Sequence, residues 1–446
     1  MPSAAEQLAA NVNFGTFSKA TELKKRIWFT LAALVIYRIG TYIPIPGIDS
    51  QQLAIAFEQA QTGILGLFNM FSGGAVGRLA IFALGIMPYI SASIIMQLMT
   101  SVVPKFEELK KDGEAGRKVI NQYTRYGTVL LAIVQSYGIA VGLEASGGLV
   151  ENPGWFFRIT AVITLTGGTM FLMWLGEQIT ARGIGNGISL IIFAGIVAEI
   201  PGIISRLFQL GREGAIATPL LLAFIVITLA TIALIVFVER AQRRLIVQYP
   251  KRQMGNRMFQ GDNSHLPLKL NTAGVIPPIF ATSLLLLPIT VANFTASGNG
   301  PEWLTAVTAL LGRGQPLYLL FFAGLIIFFA FFYTAIVFNP QETADNLKKQ
   351  GGFVPGIRPG EKTGNYIDHV LTRITVVGAI YLTIVCLIPE FLLPNSGIEV
   401  AFGGTSLLIM VSVTMDTVAQ VQGHLIAQQD EGLVKKSKLK GKGKRK

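Results

Sequence analysis

The stretch Gly85-Ile86-Met87-Pro88-Tyr89-Ile90-Ser91-Ala92-Ser93 interrupts a long apolar segment with a glycine, a proline and two small hydroxyl residues. A second copy occurs at Gly274-Val275-Ile276-Pro277-Pro278-Ile279-Phe280-Ala281-Thr282-Ser283, with glycine, proline, isoleucine and alanine at the same spacing. Interrupted hydrophobic segments at matching places in two halves of a membrane protein indicate a pathway through its middle. Glycine and proline are also commoner in membrane helices than in soluble ones, but that explanation weakens when the pattern recurs.

The composition is that of a membrane protein. Of the 446 residues, 51% are hydrophobic and only 14% are charged, whereas a soluble protein of this length needs more surface charge. Repeated apolar runs of about 20 residues match the length of a bilayer-spanning helix. The polar start of the chain has no apolar core before a cleavage site, so we expect no removable signal peptide. The single cysteine, Cys386, excludes an intramolecular disulfide.

We predict an all-α polytopic membrane protein with ten transmembrane helices in two inverted, pseudo-symmetric five-helix halves, plus a short plug helix. The apolar run Ile64–Phe71 is too short to span a bilayer and too apolar to be exposed to water. It must therefore pack inside the protein or at the membrane interface. The ten predicted segments are Ile27–Ile43, Leu79–Met99, Tyr126–Leu143, Phe156–Leu175, Ile188–Ile204, Leu220–Val238, Ala273–Val291, Leu317–Phe338, Ile374–Phe391 and Thr405–Val421.

Charge sets the predicted orientation. The net charge is +12, of which the last twelve residues supply +8, and we expect this tail to be a disordered basic end near anionic lipid or RNA. Basic residues also concentrate before segment one and in the loops two–three, six–seven and eight–nine, so both termini are predicted to be cytosolic. The predicted domains are 1–26 (cytosolic), 27–205 (first half), 206–217 (outer hinge), 218–421 (second half, with cytosolic loops 239–271 and 339–372) and 422–446 (cytosolic tail).

The predicted membrane core lacks the residues of an ion-coupled transporter or an enzyme. Apart from Arg38, near the end of its segment, almost no ionisable residue lies at mid-segment, although ion- and proton-coupled transporters usually need such residues. No hydrolase, zinc-protease or nucleotide-binding motif is present. We therefore predict that the protein is not an enzyme, holds no cofactor or metal, and takes its energy from a partner.

The paired motifs suggest an apolar gate. Ile90 and Ile279 occupy equivalent places in the two copies, and a ring of branched aliphatic side chains excludes water and ions by dewetting. Without the repeated motif, ordinary core packing or lipid contact would explain these isoleucines better. The basic loops have a similar ambiguity: Arg358, between turn residues, suits an acidic protein or RNA phosphate, but a solvated basic loop explains the charge equally well.

Several stretches resemble the SecY/Sec61-alpha family of protein-conducting channels, and the resemblance extends over all ten predicted spans. They are the motif at Gly85–Ser93, together with Phe68–Gly74, Gly176–Thr180, Arg182–Gly187, His265–Lys269, Gly352–Gly360 and Gly403–Ser406.

The resemblance implies a function and a set of site residues. It implies a channel in the bacterial plasma (inner) membrane that passes unfolded secretory polypeptides across and releases transmembrane segments sideways into lipid. A plug over about 62–74 would include Leu67, Phe68, Asn69, Met70, Phe71, Ser72 and Gly73. The pore ring would be Ile86, Ile90, Ile188, Ile192, Ile279 and Ile409, and the lateral gate would include Ser91, Gln97 and Leu287.

The resemblance also implies partners. They would be the small membrane subunits SecE and SecG, the motor ATPase SecA, the ribosome through its rRNA phosphates, signal sequences and nascent chains, and anionic lipids. Docking of SecA or the ribosome would use Arg252, Arg257, Lys348, Lys349 and Arg358. Many relatives carry two adjacent arginines where this chain has Asn256-Arg257, which leaves one cation fewer for phosphate. A secondary transporter of a small solute, with the same inverted-repeat architecture, is the alternative, and a non-catalytic scaffold is a third reading.

Overall fold

The computed structural model describes residues 21–60, 64–145, 148–214, 217–250, 252–254, 257–259, 263–285, 315–392 and 403–442. Fourteen helices and four short strands lie in these ranges. The helices are α1 (Thr21–Gly40), α2 (Ser50–Ala60), α3 (Ile64–Phe71), α4 (Met87–Val102), α5 (Pro104–Lys111), α6 (Glu114–Ala145), α7 (Trp155–Arg182), α8 (Gly187–Arg212), α9 (Thr218–Arg240), α10 (Ile276–Leu285), α11 (Pro316–Val337), α12 (Pro340–Lys349), α13 (Glu361–Leu392) and α14 (Gly404–Lys442). The strands are β1 (Gln242–Gln248), β2 (Arg252–Met254), β3 (Arg257–Phe259) and β4 (Asn263–Lys269).

The helices confirm the predicted fold class. Within the described residues, seven helices are long and apolar enough to cross a membrane, or eight when α4 and α5, which are bent by 97° at their junction, count as one span. Helix α1 ends at Gly40, three residues before the predicted end of segment one, and α10 begins at Ile276, three residues after the predicted start of segment seven. The chain is therefore a mostly helical, multi-pass membrane protein, and these helices together are consistent with ten spans.

Predicted segment two is only partly helical, so its predicted start at Leu79 is wrong. Residues 72–86 form turns, and α4 begins at Met87. Gly85 has φ of 56°, a left-handed conformation that favours glycine and cannot continue a helix. Pro88 lies in the first turn of α4, where its missing N–H would have no helical partner in any case. The motif therefore starts the helix rather than bending it in the middle.

The chain divides into two compact units, and the account of each covers only its described residues. The first comprises Met1–Gln61, Leu65–Gly202 and Val413–Lys446, and the second comprises Thr62–Ile64 and Ile203–Ser412. The division within α8 precedes the predicted hinge at 206–217, and the end of α14 joins the first unit.

The first unit has a helical core with an apolar outer face. Small and aliphatic side chains of α6 and α7, among them Ala132 and Leu165, are fully buried in one cluster. On the same two helices Leu130 is 66% exposed and Phe156 is 86% exposed. Large apolar side chains that face outward on such helices fit a hydrocarbon environment, because in water they would form a large exposed apolar patch.

The second unit contains an antiparallel ribbon that sequence analysis did not predict. Strands β1 and β4 pair from Gln242 with Lys269 to Gln248 with Asn263, and β2 pairs with β3 beyond them. Leu245 and Val247 are buried while Arg244 is exposed and Ile246 is half exposed. That alternation is the signal of a half-buried strand, and it is short enough to be overlooked within a basic loop.

The ribbon packs onto the helices that follow the eighth predicted span. Its buried Leu245 and Leu268 share a cluster with Ala344 of α12 and with Ile367 and Val370 of α13. Gln248 also exchanges two backbone hydrogen bonds with Phe353, at 2.8 and 2.9 Å. The described parts of the predicted loops 239–271 and 339–372 thus form one packed substructure.

The C-terminal tail corrects a second expectation. Over the described part of the basic tail the prediction of disorder is wrong, because α14 runs from Gly404 to Lys442. Lysine is a good helix former, and the tail extends a helix already nucleated by the last span, so it does not bear the cost of starting a new one.

Candidate functional site

The short helix α3 and the turns after it form a compact local structure in the first unit. Asn69 organises the turn: its backbone carbonyl accepts from the Gly74 N–H at 2.8 Å, and its side-chain oxygen accepts from the Gly77 N–H at 2.7 Å. The Ser72 hydroxyl donates to the Asn69 carbonyl at 2.9 Å. Met70, Phe71 and Ser72 are buried. The predicted plug residues from Phe68 to Gly73 therefore form the end of α3 and the turn that follows it. The side chain of Leu67 lies outside the described part of the chain.

The end of this turn lies directly against α8. A Cβ atom on Gly195 would stand 2.8 Å from the Phe71 carbonyl oxygen and 3.1 Å from the Gly73 nitrogen. Real Cβ atoms do not approach a backbone oxygen that closely, so this contact requires glycine at position 195. We call the contact of Phe71–Gly73 with Gly195 the plug seat.

Two arginines hold the plug seat by its backbone. The guanidinium groups of Arg38 and Arg78 both donate to the Gly73 carbonyl, the latter at 2.9 Å. Arg78 also donates to the Thr41 carbonyl at 3.1 Å, and its guanidinium lies 4.2 Å from the centre of the Tyr42 ring. Burial lowers the pKa of Arg78, but a guanidinium stays charged at physiological pH. The carbonyl therefore has two cationic donors.

The seat also contains a buried tyrosine hydroxyl, that of Tyr37. The Tyr37 side chain is 1% exposed, and among the described residues its hydroxyl has no hydrogen-bond partner. It lies close to the positions that Cβ atoms on Gly73 and Gly195 would occupy, at 2.9 and 3.0 Å. Sequence analysis noted Arg38 only as an ionisable residue and missed Tyr37, Arg78 and Gly195. The Gly73-Gly74 pair followed by Arg78 was the available signal.

Four of the six predicted pore-ring isoleucines lie in the first unit. Ile86 is the N-cap residue of α4, and its carbonyl accepts from the Ile90 N–H at 3.1 Å, so the two are one helical turn apart. Both are buried, as is Ile192 on α8. Ile188, one turn before Ile192, is half-buried and packs against Gly176, where a Cβ atom would lie 3.1 Å from the Ile188 side chain.

The other two predicted isoleucines, Ile279 on α10 and Ile409 on α14, lie in the second unit and are also buried. The Ile279 carbonyl accepts from the Ser283 hydroxyl at 2.8 Å. Burial of all but Ile188 fits both an apolar seal and ordinary core packing, so their assignment to a pore ring stays a prediction.

Two of the three predicted lateral-gate residues, Ser91 and Gln97, are polar positions on α4. Ser91 is buried. Gln97 is half-buried, and its side-chain nitrogen donates to the Ser93 hydroxyl at 3.4 Å, while its side-chain oxygen has no partner among the described residues. Leu287 lies outside the described residues.

The predicted docking residues lie in the second unit, on or next to the ribbon substructure. Arg358 is exposed in a tight turn, and its backbone carbonyl accepts from the Thr363 hydroxyl at 2.9 Å. Lys348 and Lys349 are exposed in the last turn of α12, and the Lys348 ammonium lies 3.7 Å from where a Cβ on Gly360 would stand. Arg252 and Arg257 belong to the paired strands β2 and β3. Over the described residues, no group of acidic, histidine or cysteine side chains could hold a metal ion.

Comparisons with known proteins agree with this architecture. The sequence pattern of the SecY family matches residues 80–418. The chain is 58% identical over 426 residues to the protein translocase subunit SecY of Escherichia coli strain K12, covering 95% of this chain and 96% of that protein.

Two solved structures share the fold. One is a SecY protein whose plug domain is described as stabilising the closed state of the translocation channel and maintaining a membrane seal; its TM-score is 0.65 at 18% identity, over 90% of this chain and 92% of that one. The other is Sec61 in a canine ribosome–channel complex from the endoplasmic reticulum, with a TM-score of 0.64 at 17% identity and the same coverage. At these identities the two structures support the fold alone.

Proposed function

We propose that this chain, which belongs to the SecY family, forms a protein-conducting channel for unfolded secretory polypeptides and for transmembrane segments that leave sideways into lipid. The observation that carries the proposal is the 58% identity with a translocase subunit over 95% of the chain. The alternative of a small-solute transporter receives no support from these relatives.

At rest, the channel is closed by two barriers. The segment from Phe68 to Gly73, which comprises the end of α3 and the following turn, acts as the plug, held on Gly195 and by the two arginines. The six isoleucines Ile86, Ile90, Ile188, Ile192, Ile279 and Ile409 act as the pore ring. An apolar ring seals by excluding water, and it widens around a polypeptide without losing any fixed coordination.

The lateral gate uses α4 and α10, with Ser91, Gln97 and Leu287 along it. A signal helix leaves through the gate because burying its apolar side chains in lipid is favourable, by about 0.8 kcal/mol per methylene. The chain itself supplies no chemical energy in this scheme. Docked SecA or a translating ribosome drives the polypeptide forward.

The docking surface consists of Arg252, Arg257, Lys348, Lys349 and Arg358. Support comes from the packing of the ribbon onto α12 and α13, which holds two distant basic loops in one substructure. Guanidinium groups suit acidic side chains and RNA phosphates, which they bind with paired hydrogen bonds. SecE and SecG complete the complex in the bacterial plasma membrane, with both termini of this chain cytosolic and anionic lipid near the basic tail.

The direct test is reconstitution of this chain with SecE and SecG into vesicles. SecA, ATP and a labelled secretory precursor are added outside, and precursor that becomes protected from protease is measured. We expect ATP-dependent protection that requires this chain. Vesicles with correctly inserted chain that protect no precursor would refute the channel function.

The pore ring has its own test. Ion conductance of the complex in planar bilayers is compared between wild type and the double variant Ile90→Gly with Ile279→Gly. We expect a quiet wild type and a leaky variant, because removing two branched side chains lets water wet the constriction. A folded double variant as tight as wild type would exclude both isoleucines from the seal.

Docking is tested by charge reversal. Arg358→Glu should abolish SecA-driven protection, whereas Lys362→Glu, at an exposed basic residue four positions further along the chain, should reduce it little. Equal losses in both variants would indicate a general charge effect rather than a docking contact.

A further inference from the structure

The polar end of α13 carries a hollow that the proposed channel function does not use. Its volume is about 470 Å³, and it is an open depression on the helix surface rather than an enclosed cavity. It is lined by Asn365, Asp368, His369, Thr372 and Arg373, which are all exposed. These residues recur at intervals of three and four, so they share one face of the helix.

The hollow lies at the depth of lipid headgroups. It directly precedes Ile374, where the predicted apolar segment begins. At a rise of about 1.5 Å per residue, Asp368 stands roughly 9 Å outside that boundary and Arg373 stands at it. The polar layer on each side of a bilayer is about 5–7 Å thick. Arg373 therefore lies at the inner edge of the headgroup layer and Asp368 just beyond its outer edge.

The apolar part of the same face continues away from the hollow. Val376, Ile380, Ile384 and Ile388 follow one another at intervals of four residues, and each is at least 36% exposed. The intervals keep them on a single stripe of α13. A polar hollow at the interface above an exposed aliphatic stripe has the layout of a phospholipid, with a headgroup followed by acyl chains.

The charges of the hollow narrow the class of headgroup. Arg373 and His369 offer hydrogen-bond donors to a phosphate, while Asp368 offers a carboxylate on the outer side. Among the described residues, neither Asp368 nor Arg373 belongs to a salt bridge. Thr372 donates its hydroxyl to the Asp368 backbone carbonyl at 2.9 Å, which leaves the Asp368 carboxylate available.

We propose that this face of α13 binds a phospholipid whose headgroup carries both a phosphate and a primary ammonium, as phosphatidylethanolamine does. Arg373 and His369 hold the phosphate, Asp368 holds the ammonium, and an acyl chain lies along Val376, Ile380 and Ile384. An anionic lipid without an amine, or an acidic protein segment, would instead bring negative charge against Asp368.

The test measures lipid binding to the purified full-length chain by native mass spectrometry. Phosphatidylethanolamine and phosphatidylglycerol with identical acyl chains are titrated separately. Wild type should retain phosphatidylethanolamine more strongly. Arg373→Gln should weaken phosphatidylethanolamine binding by up to about fivefold, the upper range for an exposed ion pair. Asp368→Asn should weaken phosphatidylethanolamine binding while leaving phosphatidylglycerol binding unchanged or stronger.

The matched control is Arg240→Gln, an exposed arginine at the end of α9 and outside the hollow, which should bind both lipids like wild type. A photoactivatable phosphatidylethanolamine in vesicles gives an independent measurement, because it should label α13 peptides in wild type and less so in Arg373→Gln. Wild-type binding of phosphatidylethanolamine by both variants would overturn the proposal. Stronger binding of both lipids by Asp368→Asn would also overturn it, in favour of an anionic-lipid site. Neither outcome would affect the channel function.

Discussion

The two copies of the interrupted motif start their helices in the same way. Gly85 and Gly274 have φ of 56° and 64°, and α4 and α10 begin two residues after them. Each helix has proline in its first turn, and the isoleucine two residues after the first of those prolines is buried in both. Local sequence is sufficient to explain this likeness. A glycine in the left-handed conformation ends the preceding turns, and a proline in the first turn favours the start of a helix.

The copies differ in what precedes them. Before Gly85 lie α3 and the turns that Asn69 and the arginines hold. Before Gly274 lies the end of the β ribbon, where the Asn271 amide donates to the Glu239 carboxylate at 2.7 Å and to the Gly274 carbonyl at 3.1 Å. The same helix-starting device thus follows a plug-like turn in one half and a polar ribbon in the other, as expected if the halves insert in opposite directions.

The largest effect should come from filling the plug seat, which only the first copy has. Gly195→Ala places a Cβ atom 2.8 Å from the Phe71 carbonyl oxygen, and such overpacking costs about 1–3 kcal/mol. We expect a lower thermal midpoint in detergent and a higher resting conductance. Gly202→Ala, on the same helix with no atom within 4 Å of the new Cβ, is the control. Equal conductance in the two variants would contradict a role of the Gly195 contact in closing the channel.

Alanine at the two motif glycines should test whether the copies are equivalent. Gly85→Ala and Gly274→Ala should each cost about 1–2 kcal/mol, because both force a left-handed conformation on a residue with a Cβ. The surroundings add little, since the nearest atom to a Cβ is 3.8 Å away at Gly85 and none lies within 4 Å at Gly274. Thermal unfolding measures both.

The control for the glycine pair is Gly423→Ala within α14, where a Cβ meets nothing within 4 Å. This change should be neutral or stabilising by up to about 1 kcal/mol, because alanine favours a helix over glycine. A clear difference between Gly85→Ala and Gly274→Ala would show that tertiary contacts, rather than the shared sequence, start one of the helices.

Replacing Asn69 and Asn271, which precede the two motif copies, should show that only the first copy is linked to closure of the channel. Asn69→Ala and Asn271→Ala each remove side-chain hydrogen bonds, worth about 1 kcal/mol or somewhat more where a buried partner loses its mate. We expect comparable losses of thermal stability. Only Asn69→Ala should raise the resting conductance, since only Asn69 organises the plug turn. A leak from Asn271→Ala alone would reverse this assignment.

The smallest effect should come from Tyr37 at the plug seat. Its buried hydroxyl has no partner among the described residues, so Tyr37→Phe removes an uncompensated polar group and should change stability by less than about 1 kcal/mol, in the stabilising direction. Tyr42→Phe is the comparison, because the Tyr42 hydroxyl accepts from Arg38 at 3.0 Å. Destabilisation by Tyr37→Phe, measured by thermal unfolding, would mean that the hydroxyl has a partner.

Most spans could be predicted from apolar runs, and their cores match the helices closely. Predicted segment eight, Leu317–Phe338, corresponds to α11 at Pro316–Val337. Errors arose where the signal was local conformation or weak alternation. Gly85 delays the start of the helix in predicted segment two, the ribbon lies within a loop whose basic residues conceal its alternation, and the tail, which composition predicts to be disordered, is helical as far as Lys442.

The sequence alone determined the membrane class, the repeated motif, the short apolar run Ile64–Phe71 and the resemblance to the SecY family. These features follow from composition and from the spacing of residues that are close in sequence, and neither depends on how the chain folds. The tertiary structure decided that Gly195 receives the backbone of Phe71–Gly73, that Arg38 and Arg78 share one carbonyl, and that two separate basic loops share a core. Those contacts join residues from 5 to more than 100 positions apart. No local pattern specifies such partners, because close packing and hydrogen-bond satisfaction are properties of the folded chain.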